Sequence, residues 1–176
     1  MQTADIIGHK SILAYLDRQR EKGTLVHALL FLGQDGVGKR TVARRFASAL
    51  LVIETPERHP DYIFIERERD KKTGKLHGAV TIGQIRALTE RLSMSALLAG
   101  WKVAILDGAD HLQDPQANSL LKTLEEPAGK TVLILLAESA DLVAPTIRSR
   151  SETVTFAPVP SAELVPALIL RGATPE

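Results

Sequence analysis

The chain has no cysteine among its 176 residues, which excludes disulfides, a thiolate zinc site and a cysteine nucleophile, and fits a reducing compartment. Long hydrophobic runs are also missing. The longest, such as Val132–Ala137, fall far short of the roughly 20 apolar residues that a helical span requires. Residues 1–10 have no basic segment followed by an apolar stretch, so no export signal is expected. These absences predict a cytoplasmic protein without membrane contact. Neither charge sign dominates, since 22 Lys and Arg face 21 Asp and Glu, and no whole-molecule field draws in nucleic acid or anionic lipid. The histidines His9, His27, His59, His77 and His111 lie without ligand spacing, so no metal centre is expected on them.

What remains is an ordinary globular composition, 44% hydrophobic, with the length of one domain able to bury roughly 70% of the surface its unfolded chain exposes. A short leader, Asp5-Ile6-Ile7-Gly8, precedes a helix with Ile12, Leu13 and Leu16 at helical spacing, ending near Gly23. Leu25–Leu32 then reads as a buried strand, and Lys39–Leu51 as a helix with Val42, Phe46 and Leu50 on one face. A second strand over Tyr62–Ile65 runs into a charged stretch, Glu66–Lys75, whose Thr73-Gly74 pair signals a solvated hairpin tip.

Thr81 and Gln84 fit a capping box that opens a helix carrying Ile82, Ile85, Leu88 and Leu92. The apolar strand Val103–Leu106 follows. Asp114 and Pro115 suit the N-cap and first position of a further helix with Ala117, Leu120, Leu121 and Leu124 on its buried face. Strands over Thr131–Ala137 and Thr153–Phe156, with a helical turn at Pro145–Ser149, complete an alternation of strand and helix. Such alternation predicts an α/β fold with a parallel sheet covered on both faces. One more short helix is expected around Ala162–Leu170.

One segment carries chemistry. Gly33-Gln34-Asp35-Gly36-Val37-Gly38-Lys39 fits the first seven positions of the phosphate-binding loop pattern, in which backbone N–H groups wrap a phosphate and the lysine supplies charge. The helix that follows aims its positive end at the same anion. A glycine-rich strand-to-helix turn without a ligand is the plainer alternative. The eighth position normally holds Ser or Thr, whose hydroxyl ligates Mg²⁺, but here it is Arg40, and Thr41 lies one residue, about 100° of helix rotation, beyond it. Asp107, delivered at the end of an apolar strand, is the candidate partner of Mg²⁺. Gly108 stands where a hydrolase would place a glutamate, and loss of a general base forfeits roughly 10²- to 10⁴-fold in rate. Arg40, Arg44 and Arg45 form a basic cluster, read as a solvated helix face or a DNA contact.

The leader, the run His27-Ala28-Leu29-Leu30-Phe31, His59-Pro60-Asp61, the block Leu120-Leu121-Lys122-Thr123-Leu124-Glu125-Glu126-Pro127 and the block Pro145-Thr146-Ile147-Arg148-Ser149-Arg150 together resemble bacterial DNA polymerase III clamp-loader subunits, AAA+ proteins. The resemblance runs from about Asp5 to Phe156, and Ile82-Gly83-Gln84-Ile85-Arg86 looks more like the delta-prime type than gamma/tau. It implies an AAA+ P-loop core with a five-stranded parallel sheet over residues 1–157, and from 158 to 176 the start of a lid domain that is truncated or absent. Ile6, Ile7, the loop from Gly33 to Lys39, Arg40 and Thr41 would hold ATP or ADP, with or without Mg²⁺.

The family's zinc-binding cysteines have no counterpart in Leu51–Arg58, so no zinc is implied. Ser149-Arg150-Ser151 keeps the arginine with which the family reaches a neighbour's ATP, making Arg150 the candidate trans-acting finger. A polar sensor of the γ-phosphate would fall near Ala137–Ser139. The implied partners are gamma/tau and delta-type subunits in a hetero-oligomer, with primer-template DNA met through the complex. The implied role is a stator and assembly subunit that is not an efficient ATPase alone; a self-sufficient motor of the gamma/tau type and an empty loop kept as scaffold are the alternatives.

Overall fold

A computed structural model describes residues 6–68, 78–98 and 100–170; Asp5, the hairpin tip expected at Thr73-Gly74 and His77 lie outside them. In chain order the elements are α1 (Lys10–Lys22), β1 (Ala28–Leu32), α2 (Lys39–Leu51), β2 (Tyr62–Ile65), α3 (Ile82–Ser93), β3 (Lys102–Asp107), α4 (Asp114–Glu125), β4 (Thr131–Ala137), α5 (Pro145–Arg148), β5 (Glu152–Thr155) and α6 (Ser161–Leu170). The five strands form one sheet in the order β2-β3-β4-β1-β5, and every pairing is parallel. The five-stranded parallel sheet expected from the sequence is therefore present.

Successive strand side chains point to opposite faces, so a strand buried on both sides must be apolar at every position. All seven residues of β4 are buried. Leu133, Leu135 and Ala137 join Leu88, Leu92, Leu120 and Leu124 of α3 and α4 in one core. Val132, Ile134 and Leu136 join Leu13 and Leu16 of α1 and Val42 and Phe46 of α2 in the other. Each fully buried Leu, Ile or Phe contributes about 1.5–3 kcal/mol of transfer free energy. The central strands are thus clamped between two helical layers, and their C-terminal ends open on one side of the sheet.

Local signals place the element ends. Gly23 ends α1 in the left-handed region, its N–H donating to Arg20 O. Thr81 and Gln84 form the expected capping box: Gln84 N donates to Thr81 Oγ1 and Thr81 N to Gln84 Oε1. At α4 the N-cap is Gln113, one residue before the expected Asp114, and Pro115 lies second in the helix. Pro is tolerated at either place because the first-turn N–H groups have no intrahelical partner. Pairing in β1 begins at Ala28 rather than Leu25, and β5 runs one residue earlier than expected, over Glu152–Thr155.

His59-Pro60-Asp61 is a structural clasp. Asp61, 1% exposed, accepts hydrogen bonds from Leu97 N at 2.8 Å and Leu98 N at 2.9 Å. Burial alone would raise its pKa, but those two amides, with Lys102 and His59, hold the carboxyl below its ordinary range. Lys102 Nζ donates to the carbonyls of Arg91, Met94 and Ser95, closing the end of α3. The clasp anchors the segment from α3 to β3. Among the described residues no helix is long and apolar enough to cross a membrane.

Candidate nucleotide-binding site

β1 ends at Leu32 and α2 begins at Lys39, so the glycine loop joins the C-terminal end of a central strand to a helix N-terminus. Open parallel sheets place ligands at that edge. Gly38 has φ 106°, a conformation that L side chains rarely adopt, and it carries no Cβ to block an approaching phosphate. Beyond it, the first N–H groups of α2 have no carbonyl partner within the helix. Lys39 is buried; its Nζ donates to Gly33 O at 2.5 Å and Gln34 O at 2.9 Å. Asp35 Oδ1 accepts from Gly36 N at 2.9 Å. Lys39 thus rests on the loop's own carbonyls, and a phosphate must draw it off them.

Two clefts flank the loop. One, of about 360 Å³, is lined by Ile6, Ile7, His9, Thr41, Val159 and Leu164 against the loop from Gln34 to Gly38. Its apolar wall suits a flat heterocycle. His9 Nε2 lies 2.7 Å from Val37 O, and its ring meets Phe156 edge-on at 5.0 Å, fixing the leader against the loop. Thr41 thus faces this cleft and not the metal position, as its helical phase implies.

The other cleft, of about 690 Å³, opens across the ends of β2, β3 and β4; Lys39, Arg40, Phe64, Glu66, Asp107 and Glu138 are among its lining residues. Here Arg40 dominates. Its Nη1 donates to Glu66 Oε2 at 2.8 Å, lies 3.7 Å from Asp107 Oδ2, and the guanidinium carbon sits 4.3 Å above the centre of the Phe64 ring. Burial raises the Asp107 carboxyl above its ordinary range; Arg40 opposes that and Glu66 adds to it. A divalent cation of the Mg²⁺ type demands several oxygen donors in near-octahedral order. The hydroxyl that would supply one is replaced by Arg40, and the Asp107 carboxylate faces a guanidinium, so the residues present do not fit that ion. Glu66, expected as part of a solvated tip, is instead the partner of Arg40.

Gly108 adds a second departure. Its φ of 97° lies in the left-handed region, so a glutamate there would be strained as well as missing. Near the expected sensor, Glu138 lines the larger cleft and its N–H donates to Asp110 Oδ2 at 2.8 Å, while the Ser139 hydroxyl caps the following turn.

Arg150 lies elsewhere. It precedes β5, whose Glu152 pairs with Leu29, whereas the glycine loop leaves β1 level with Phe156, whose N–H reaches Leu32 O. Four strand residues, about 13 Å, separate Glu152 from Phe156, so Arg150 sits at the opposite end of the strands from its own loop. Arg150 Nε donates to Glu125 Oε1 at 2.8 Å, and Nη1 to Thr146 O at 3.1 Å. The rest of the basic cluster is paired: Arg44 meets Glu57 and Arg45 meets Asp17. Sequence patterns did not single out His9, Phe64, Glu66 or Glu125 for these roles, because each acts through a partner distant in the chain.

Residues 8–160 match the family model described as DNA polymerase III, delta subunit. Among curated proteins, DNA polymerase III subunit delta' of Pseudomonas aeruginosa is 34% identical over 140 residues, covering 70% of this chain and 41% of its own length. That of Bacillus subtilis is 29% identical, covering 93% and 52%. The chain thus spans about half the length of these relatives or less. Among solved structures, a DNA polymerase III gamma subunit-related protein of Thermotoga maritima superposes with a TM-score of 0.67 at 25% identity, over 85% of this chain and 47% of that one. A RuvB variant from the same organism reaches 0.69 at 18% identity, over 98% and 54%, and speaks for the AAA+ fold alone.

Proposed function

Because this chain belongs to the DNA polymerase III delta-subunit family, in its delta-prime type, we propose that it is a clamp-loader stator: it holds a nucleotide without turning it over and lends Arg150 to a neighbouring ATPase subunit. The observation that carries this reading is Arg40, whose guanidinium stands beside Asp107 where a hydrolytic site needs its metal. Gly108 agrees, since it offers no carboxylate to polarise water.

ATP or ADP is held with its phosphates on the loop from Gly33 to Lys39 and the N-terminus of α2, and with its base against Ile6, Ile7 and Thr41. The glycine cradle and the apolar cleft support that placement. Lys39 leaves the loop carbonyls to meet the β-phosphate. Arg150 acts in trans, and its place at the N-terminal end of β5 supports this, because the glycine loop leaves the other end of the neighbouring strand. The partners are gamma/tau and delta-type subunits, and primer-template DNA is met through their complex. From residue 158 the chain begins a lid domain; α6, with no buried residue and with Val165, Leu168 and Ile169 exposed, supports a helix that packs on something further.

Purification with gamma/tau and delta subunits, followed by ATPase measurement, tests the reading. A complex that needs this chain for assembly, beside an isolated chain without turnover, is the expected result. Mg²⁺-dependent hydrolysis by the isolated chain that Lys39→Ala abolishes would overturn it in favour of a motor.

A further inference from the structure

We infer that Arg40 takes over the electrostatic work of the divalent cation, so that this site binds ATP and ADP equally well with and without Mg²⁺. The inference rests on the nucleotide-holding reading above and specifies the chemistry of that same site. Arg40 follows Lys39 directly at the start of α2, so its side chain leaves the helix beside the phosphate cradle. Glu66 from the end of β2 and Asp107 from the end of β3 both approach its Nη1, and the Phe64 ring faces its guanidinium carbon. A guanidinium carries five N–H donors in a rigid plane that matches phosphate oxygens, is always charged, and stacks readily on an aromatic ring.

The same grip keeps a metal out. A dication bound to Asp107 would stand against the guanidinium already there, and like charges at ion-pair distance repel strongly in a partly buried cleft. It would also lack the hydroxyl donor that Arg40 has replaced. A nucleotide arriving as its metal-free anion meets Lys39 and Arg40 in place of a metal, Arg40 keeping Glu66 and Asp107 as its counter-ions.

Calorimetric titration of the protein with ADP and with ATP, in Mg²⁺ and in EDTA, tests this directly. Dissociation constants that agree within about threefold between the two buffers are expected. Arg40→Thr, which removes the guanidinium and restores a hydroxyl, should weaken binding in EDTA by about 10- to 100-fold, as loss of a charge-assisted hydrogen bond does, and Mg²⁺ should then restore affinity. Wild-type affinity that rises tenfold or more with Mg²⁺ would overturn the inference and leave the nucleotide site standing. Absence of binding in both buffers would overturn the inference and the nucleotide site together. The wild-type comparison decides whether or not the variant folds.

Discussion

Arg150→Ala, introduced into this chain within an assembled complex, tests whether its arginine serves a neighbour. In the described geometry the Arg150 guanidinium rests on Glu125, with contacts of 2.8 and 2.7 Å to one carboxylate oxygen, and on the Thr146 carbonyl. Both side chains are substantially exposed, Arg150 by 35% and Glu125 by 51%. An ion pair so exposed contributes about 0.2–1 kcal/mol, so leaving Glu125 slows the arginine's engagement by no more than about fivefold. An arginine finger is worth roughly 10³ to 10⁵ in rate, or about 4–7 kcal/mol at 1.36 kcal/mol per decade.

If Arg150 serves a neighbour as proposed, the exposed ion pair to Glu125 is too weak to hold it back, and removal of the arginine should show in the chemical step. Single-turnover ATPase of the reconstituted complex should fall about 10³-fold or more at the facing site in Arg150→Ala. Arg150→Lys should recover little, because an ammonium has no planar fork. Glu125→Gln should change the rate by about fivefold at most. None of the three should alter this chain's own nucleotide affinity in calorimetry. A complex carrying Arg150→Ala that assembles normally on size exclusion and turns over at the wild-type rate would refute the reasoning.

Asp61→Asn keeps one acceptor oxygen and loses the other, leaving one of the Leu97 and Leu98 amides facing an NH₂ group at about 1–3 kcal/mol, and should lower the melting temperature by about 2–12 °C at 2–4 °C per kcal/mol; an unchanged melting curve would deny the clasp. Because the folded Asp61 carboxyl titrates below its ordinary range, its stabilisation is complete above the unfolded value of about 3.9 and is lost as pH falls through the folded one. Wild-type stability should therefore drop below about pH 4 more steeply than that of Asp61→Asn, a difference that urea titrations in acetate and formate buffers would register. Val52, 90% exposed, holds φ 54° after α2, where a β-branched residue is strained by about 1–2 kcal/mol. Glycine frees the unfolded chain by about 0.4–1 kcal/mol, so Val52→Gly should raise the melting temperature by up to about 6 °C at 2–4 °C per kcal/mol, and a fall would contradict the assigned strain.

The sheet, its parallel sense and the glycine loop were legible because each leaves a local trace: uninterrupted apolar runs for strands buried on both faces, and a fixed glycine spacing between strand and helix. The capping box at Thr81 and Gln84 was legible for the same reason, both partners lying within four residues. Helix N-caps were legible only to within a residue, as Gln113 shows, since Pro115 fits either of two first-turn positions. The partner of Arg40 was not legible. Glu66 is 26 residues away and reads as one of several charges in a polar stretch; only the ending of β2 beside β3 brings it to the cleft. His9 passed unnoticed because an isolated histidine has no period, and its importance comes from Val37 O and Phe156 folding back onto it. Pairwise polar contacts between distant segments depend on the fold, and no local pattern encodes them.

The parallel pairing of β1 with β5 gives the molecule a direction. The glycine loop lies at the C-terminal ends of the strands and Arg150 before the N-terminal end of β5, so two copies of such a unit placed face to face would bring like ends together. An Arg150 that serves a neighbour's nucleotide, as proposed above, therefore calls for a head-to-tail arrangement in which units follow one another in the same sense. On that reading, damage at Arg150 would silence the neighbour's site and spare the nucleotide on this chain's own loop.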